Sequence, residues 1–233
     1  MEKWINTVEI LLLDPSREKE FNDAYNNIHL PDVLKTPGFM SARRFIRKEP
    51  RNGRGTYFAI YEIETDNIDE TMTVRRKMRE KENEKGRGLA QVVPGAYLNF
   101  WSDLLFKQIT ERNSGSSFRK GNWINTVETV CTNPSREKDY NHFYDDFHLP
   151  DVLSTPGFLS ARRYAVKELR NGRGKYLAVY EIETADIDKT MALRLQRREE
   201  EKARGRAMVQ LAPNTYLPVW QDVLFKQIYE LRK

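Results

Sequence analysis

The sequence predicts an α+β chain of two tandem ferredoxin-like modules, each with the order β-α-β-β-α-β. Three observations predict it. Residues 4–9 (WINTVE) recur as 123–128, residues 29–34 (HLPDVL) as 148–153, and residues 103–109 (DLLFKQI) with one change as 222–228, all at an offset of 119 with no gap. Self-similarity of this kind marks an internal duplication. Within each copy, stretches of strand-like and helix-like periodicity alternate in the same order. Between the copies, residues 111–117 (ERNSGSS) are small and polar, as a flexible linker is. The boundary is placed near residue 115, giving modules 1–115 and 116–233.

The elements follow in order. Residues 4–13 are β-branched and apolar and suit a strand, after which Asp14-Pro15 offers a helix cap and a proline at the first helical position. Phe21, Ala24, Tyr25 and Ile28 recur at spacings of three and four, predicting a helix that Pro37-Gly38 closes. Residues 39–48 and 56–64 read as two strands, and Arg51-Asn52-Gly53-Arg54-Gly55 between them has hairpin chemistry. A charged helix over 68–85 ends at Gly86-Arg87-Gly88, and a last strand is expected over 91–101. A single four-stranded sheet with both helices on one face leaves its other face apolar and open. Packing the two sheets through those faces predicts an intramolecular, pseudo-dimeric α+β barrel.

Composition excludes several classes. With 39 basic against 34 acidic residues the net charge is only +5, and runs such as 75–82 and 194–202 mix both signs at helical spacing, as solvated helix faces do. No apolar run approaches the ~20 residues needed to cross a bilayer. The first residues lack the pattern of a secretory signal, so a cytoplasmic protein without membrane contact is expected. Cys131 is the one cysteine and stands opposite Leu12 in the repeat, the place of a small buried hydrophobe.

Three histidines exist, and two of them, His29 and His148, occupy matching places after the first helix of each copy. Asn22, Tyr25 and His29 would share one helical stripe, as would Asn141, Tyr144 and His148. A neutral imidazole beside a phenol is a workable acid–base pair near neutral pH. The same spacing also suits a histidine that caps the helix end. Strand alternation sends Tyr57 and Tyr61, with Tyr176 and Tyr180 in the second copy, to one face of their strands. Arg44, Glu9, Asn6 and Trp101 recur as Arg163, Glu128, Asn125 and Trp220, so polar groups among aromatics could line a small-molecule site. Alternatively, Glu9 and Arg44 pair across neighbouring strands or at the pseudo-dimer seam.

Residues 25–39, from Tyr25 through His29, Pro31 and Pro37-Gly38 to Phe39, with 144–158 as their twin, resemble the signature of the EthD-like dimeric α+β barrel proteins. That superfamily includes cyclases, lactone isomerases, cofactor-free monooxygenases and haem-binding enzymes. The resemblance implies an acid–base role for His29 and His148, with Tyr25 and Tyr144 beside them. The helical stripe, strand alternation and recurrence add expected substrate contacts from Asn22, Asn141, Tyr57, Tyr61, Tyr176, Tyr180, Arg44, Arg163, Trp101 and Trp220. The expected function is cofactor-independent isomerase, cyclase or lyase chemistry on a partly aromatic or lactone-like molecule. The alternative is a non-catalytic barrel that binds a ligand or partner. Neither copy has compact metal-ligand spacing, and one histidine per copy could supply at most one axial ligand to haem, so no metal and no cofactor are expected.

Residues 54–61 partly imitate the third-strand signature of RNA-recognition modules, but Thr56 and Tyr57 fall out of order and Leu177 replaces Phe58 in the second copy. A small-molecule substrate is therefore the expected partner, and nucleic acid is not; association of the fused pair into further homo-oligomers is left open. Gly53-Arg54-Gly55 lacks the third glycine and the helix of a dinucleotide loop.

Overall fold

The computed structural model describes residues 1–50 and 52–233. Arg51, the first residue of the expected hairpin turn, lies outside them. The α+β class is as expected: antiparallel strands alternate with helices, and the element order of the first repeat recurs in the second. The chain forms two compact units, Met1–Lys107 with Phe225–Lys233, and Gln108–Leu224.

The first unit contains β1 (Glu2–Leu12), α1 (Glu18–Ala24), a π-helical turn (Tyr25–His29), α2 (Leu30–Leu34), β2 (Phe39–Arg47), β3 (Tyr57–Thr65), α3 (Ile68–Glu84), α4 (Leu89–Val92) and the start of β4 (Tyr97–Asn113). β1 lies between β3 and β4, with Asn6 opposite Tyr61 and Leu105. β2 pairs with β3 on one edge and with the end of β8 (Tyr216–Arg232) on the other, where Arg44 stands opposite Tyr229. The second unit repeats this with β5 (Trp123–Cys131), α5 (Glu137–Phe143), a π turn (Tyr144–His148), α6 (Leu149–Leu153), β6 (Phe158–Val166), β7 (Tyr176–Ile182), α7 (Ile187–Ala203) and α8 (Met208–Leu211).

Two local expectations are corrected. Asp14 does cap, accepting from the Ser16 amide at 3.0 Å, but it caps a short 3-10 turn, and α1 starts only at Glu18. The last strand does not begin near 91. Pro94-Gly95, with Gly95 at a φ of 69°, breaks that stretch, and the strand runs from Tyr97 to Asn113 through residues assigned to the linker. The compact units divide inside the last strand of each repeat.

Alternation separates the two faces of the first sheet. Trp4, Ile10, Tyr57, Ala59 and Tyr61 join Phe21, Tyr25, Leu30 and Met72 in the core beneath the helices. On the opposite face Phe58 stacks on Phe225 with ring centres 4.9 Å apart. Glu9 also lies there and does not pair with Arg44: its carboxylate takes Arg54 at 2.6 Å and the Gly55 amide at 3.0 Å. Gly55 runs so close to β1 that a Cβ would come within 2.7 Å of the Ile10 backbone.

Candidate functional site

Pro31 shapes the site. Lacking an amide hydrogen, it cannot continue the α-helical ladder, and the turn before it widens so that Leu30 donates to the Tyr25 carbonyl five residues back. The second repeat does the same with Leu149 and Tyr144 ahead of Pro150. The widened turn sets the His29 ring edge-on against Tyr25, centres 4.8 Å apart, and His148 against Tyr144 at 4.8 Å. Asn22, in α1 ahead of that turn, lies on the side of Arg44 and accepts from it at 2.7 Å.

Each phenol of this pair reaches a strand partner. The hydroxyls of Tyr25 and Tyr61 are 2.8 Å apart, and those of Tyr144 and Tyr180 are 3.2 Å apart. Burial raises the pKa of all four, Tyr61 and Tyr144 well above the ordinary phenol value. They therefore stay protonated and serve as hydrogen-bond donors rather than bases. His29 is neutral at pH 7, pushed down to about 3 by burial and then by the guanidiniums of Arg75 and Arg44. His148 is likewise pushed down to about 3, by burial and by Arg194, Arg198 and Arg163. Neither ring caps its helix by a hydrogen bond, and neither has a hydrogen-bond partner among the described residues. Both imidazoles keep two nitrogens for a ligand.

Arg44 is 1% exposed and Arg163 is fully buried. The Arg44 guanidinium lies 4.1 Å from the centre of the Tyr25 ring and also meets the rings of Phe21 and Tyr57. It donates to Asn26 at 2.6 Å and to Asn22 at 2.7 Å, and no carboxylate pairs with it among the described residues. Arg163 lies on an equivalent bed, 4.1 Å from Tyr144 but with Tyr140 in place of Phe21, and donates to Asn141 at 2.8 Å; Asp145 replaces Asn26 and forms an ion pair at 2.5 Å. Burial accordingly lowers the pKa of Arg44, whereas at Arg163 the phenols of Tyr140 and Tyr144 and the carboxylate of Asp145 outweigh burial and raise it.

Asn26 and Asp145 are absent from the expected stripe, since Asn22 and Asn141 work with the residue four further on and not with the histidine. Asp103 and Arg79 also belong to the constellation, outside the expected residues. Asp103 has a φ of 55° and Asp222 a φ of 50°, backbone that non-glycine residues seldom adopt. Asp103 accepts from Asn6 at 3.2 Å and from Arg79 at 3.4 Å; Asp222 accepts from Asn125 at 3.0 Å and from Arg198 at 3.1 Å. The side-chain oxygens of Asn6 and Asn125 are buried without a partner among the described residues. Recurrence of Asp103 and Arg79 in both copies was the available signal; the backbone strain was not.

Other expected residues lie apart from the histidines. Trp101 and Trp220 donate to the hairpin carbonyls of Gly53 and Gly172, at 3.3 and 3.0 Å, instead of lining the site. Tyr57 donates to Glu18, and Tyr176 to Glu137 at 2.7 Å, on the Arg44 and Arg163 side. His142 is exposed and bonds Asp146 at 2.9 Å. Tyr57, Phe58 and Tyr61 are each at most 3% exposed, so β3 offers no open stacking surface to a base. No group of three or more His, Cys, Asp or Glu converges as metal ligands among the described residues. Among the described residues no helix is long and apolar enough to cross a membrane.

No family model and no curated protein sequence matches the chain. Solved structures do match. An anthrone oxidase-like protein aligns with 99% of this chain and 93% of its own, at a TM-score of 0.64 and 10% identity. A candidate monooxygenase of Fusobacterium nucleatum aligns with 100% of this chain and 95% of its own, at 0.61 and 9%. A variant chlorite dismutase of Candidatus Nitrospira defluvii covers 97% and 91%, at 0.55 and 8%. The likeness is one of fold. It is the fold of the dimeric α+β barrel proteins, with ferredoxin-like strand order.

On that frame the first unit gathers an unbonded neutral imidazole, two buried phenols bonded to each other and a guanidinium without a counter-ion. Such a set can accept a proton at the imidazole, donate hydrogen bonds from the phenols and stabilise developing negative charge.

Proposed function

We propose that the chain is a small-molecule enzyme of the EthD-like kind whose first unit carries out proton transfer next to a carbonyl, as an isomerase, cyclase or lyase does. The observation that carries this reading is the free His29 imidazole against Tyr25, itself bonded to Tyr61 at 2.8 Å. His29 takes a proton from a carbon beside the substrate carbonyl, and the electron pair moves to the carbonyl oxygen. The enolate oxygen accepts a hydrogen bond from the Tyr25–Tyr61 pair, and the positive charge of Arg44 stabilises it. Imidazolium then returns the proton to a different carbon, which isomerises the substrate, or to a leaving group, which eliminates it. The related structures named as an oxidase and a monooxygenase support small-molecule chemistry in this fold.

The low basicity of His29 in the unliganded protein favours one other reading, a ligand-binding barrel without catalysis. The two readings differ in solvent deuterium exchange. Aromatic ketones, lactones and their enolisable acids are incubated with the protein in heavy water and followed by proton NMR. Exchange at the carbon beside the carbonyl, lost in His29→Ala, supports the enzyme. Binding without exchange, or exchange unchanged in the His29→Ala/His148→Ala variant, supports the binding barrel.

A further inference from the structure

We propose that the first unit binds a carboxylate of its substrate on Arg44, in the place that Asp145 occupies permanently in the second unit. The inference names the substrate class for the acid–base site proposed above and rests on that reading. Its basis is the exchange of Asn26 for Asp145 between two closely similar constellations, which differ also in Phe21 of the first standing where Tyr140 stands in the second. Arg44 and Arg163 sit on equivalent strands, over equivalent tyrosines at 4.1 Å, and each donates to an equivalent asparagine, Asn22 or Asn141. They differ at their other partner. Asp145 gives Arg163 a carboxylate at 2.5 Å, whereas Asn26 gives Arg44 only an amide oxygen at 2.6 Å.

A buried guanidinium keeps its charge at any physiological pH, so Asn26 satisfies a hydrogen bond but leaves the charge uncompensated. Aromatic faces around Arg44 offset part of this through cation–π attraction. The second unit demonstrates that the cradle accepts a carboxylate without rearranging its tyrosines. Asn26 is half-buried on the helix surface and can yield its place to an incoming carboxylate. A charge-assisted bond is about twice as strong as the neutral one it replaces. Phe21, Tyr25 and Tyr57 around the guanidinium suit an aromatic body attached to that carboxylate. A carboxylate here also offsets one of the positive charges that oppose protonation of His29, so the base strengthens when substrate binds.

The experiment is calorimetric titration of the full chain with benzoate and with neutral benzamide. The expected result is one benzoate per chain, with benzamide at least tenfold weaker. Asn26→Asp should weaken benzoate at least tenfold, and Asp145→Asn should raise the stoichiometry towards two. Absence of benzoate binding, equal binding of benzamide, or indifference to both substitutions would overturn the proposal. Circular dichroism confirms folding of each variant, and Asp145→Asn decides the matter alone if Asn26→Asp does not fold. His29→Gln keeps the two readings apart: benzoate binding should survive it while proton exchange is lost. Benzoate binding with no proton exchange in the unaltered protein defeats the enzyme reading and leaves the anion site standing.

Discussion

The guanidinium of Arg44 lies 4.1 Å from the centre of the Tyr25 ring and, unlike Arg163 in the second unit, faces no carboxylate among the described residues. This contrast predicts opposite responses to the same substitution. Arg44→Met removes a desolvated charge and leaves no partner charge behind, so stability should change by less than about 1 kcal/mol or rise. Arg163→Met strands Asp145, which is 18% exposed, and should cost roughly 2 kcal/mol or more. Urea unfolding of the two variants measures the difference.

Tyr61→Phe tests the phenol pair. It leaves the Tyr25 hydroxyl buried without its 2.8 Å partner, at a cost of about 1–2 kcal/mol in stability. If the pair donates to an enolate, turnover should fall about a hundredfold with little change in KM. Tyr180→Phe breaks a longer contact of 3.2 Å and should cost less stability. Turnover unaffected by Tyr61→Phe would remove the pair from the chemistry.

Acid stability should depend on the two half-buried histidines, His29 and His148. Each has its folded pKa lowered from 6.5 to about 3, so the unfolded chain binds the proton first as pH falls. Their contribution is complete above pH 6.5 and is lost progressively from there towards about pH 3. The melting temperature should fall on acidification through pH 6 to 4, and His29→Phe with His148→Phe should flatten that slope. An unchanged slope in the double variant would show that other groups govern acid unfolding.

Gly55→Ala tests the approach of the hairpin to β1. Its Cβ would meet the Ile10 backbone at 2.7 Å, and backbone cannot move aside as a side-chain tip can. A loss of roughly 2–4 kcal/mol is expected, from strain and from displacing the amide that binds Glu9. Gly95→Ala has open space around it but a φ of 69°, so its smaller cost of about 1 kcal/mol reports conformation alone. Thermal melts of the two variants separate the effects.

The sequence by itself determined the duplication, the order of strands and helices, and the pairing of His29 with Tyr25, because each is written in local spacing or in recurrence at one offset. Alternation likewise put Tyr57 and Tyr61 on one face of β3. The sequence could not determine that Pro31 follows a widened turn, or that Asn22 and Asn26, one helical turn apart, both meet Arg44. Nor could it show that Glu9 and Arg44 point to opposite faces of the sheet, since both recur and either pairing conserves charge. Asp103 joined Asn6 and Arg79 only through a left-handed backbone position inside a long strand, which residue type does not announce. These are decisions of tertiary structure: the site is made where a helix turn meets neighbouring strands, and the charge left over at Arg44 exists only once the chain has buried it there.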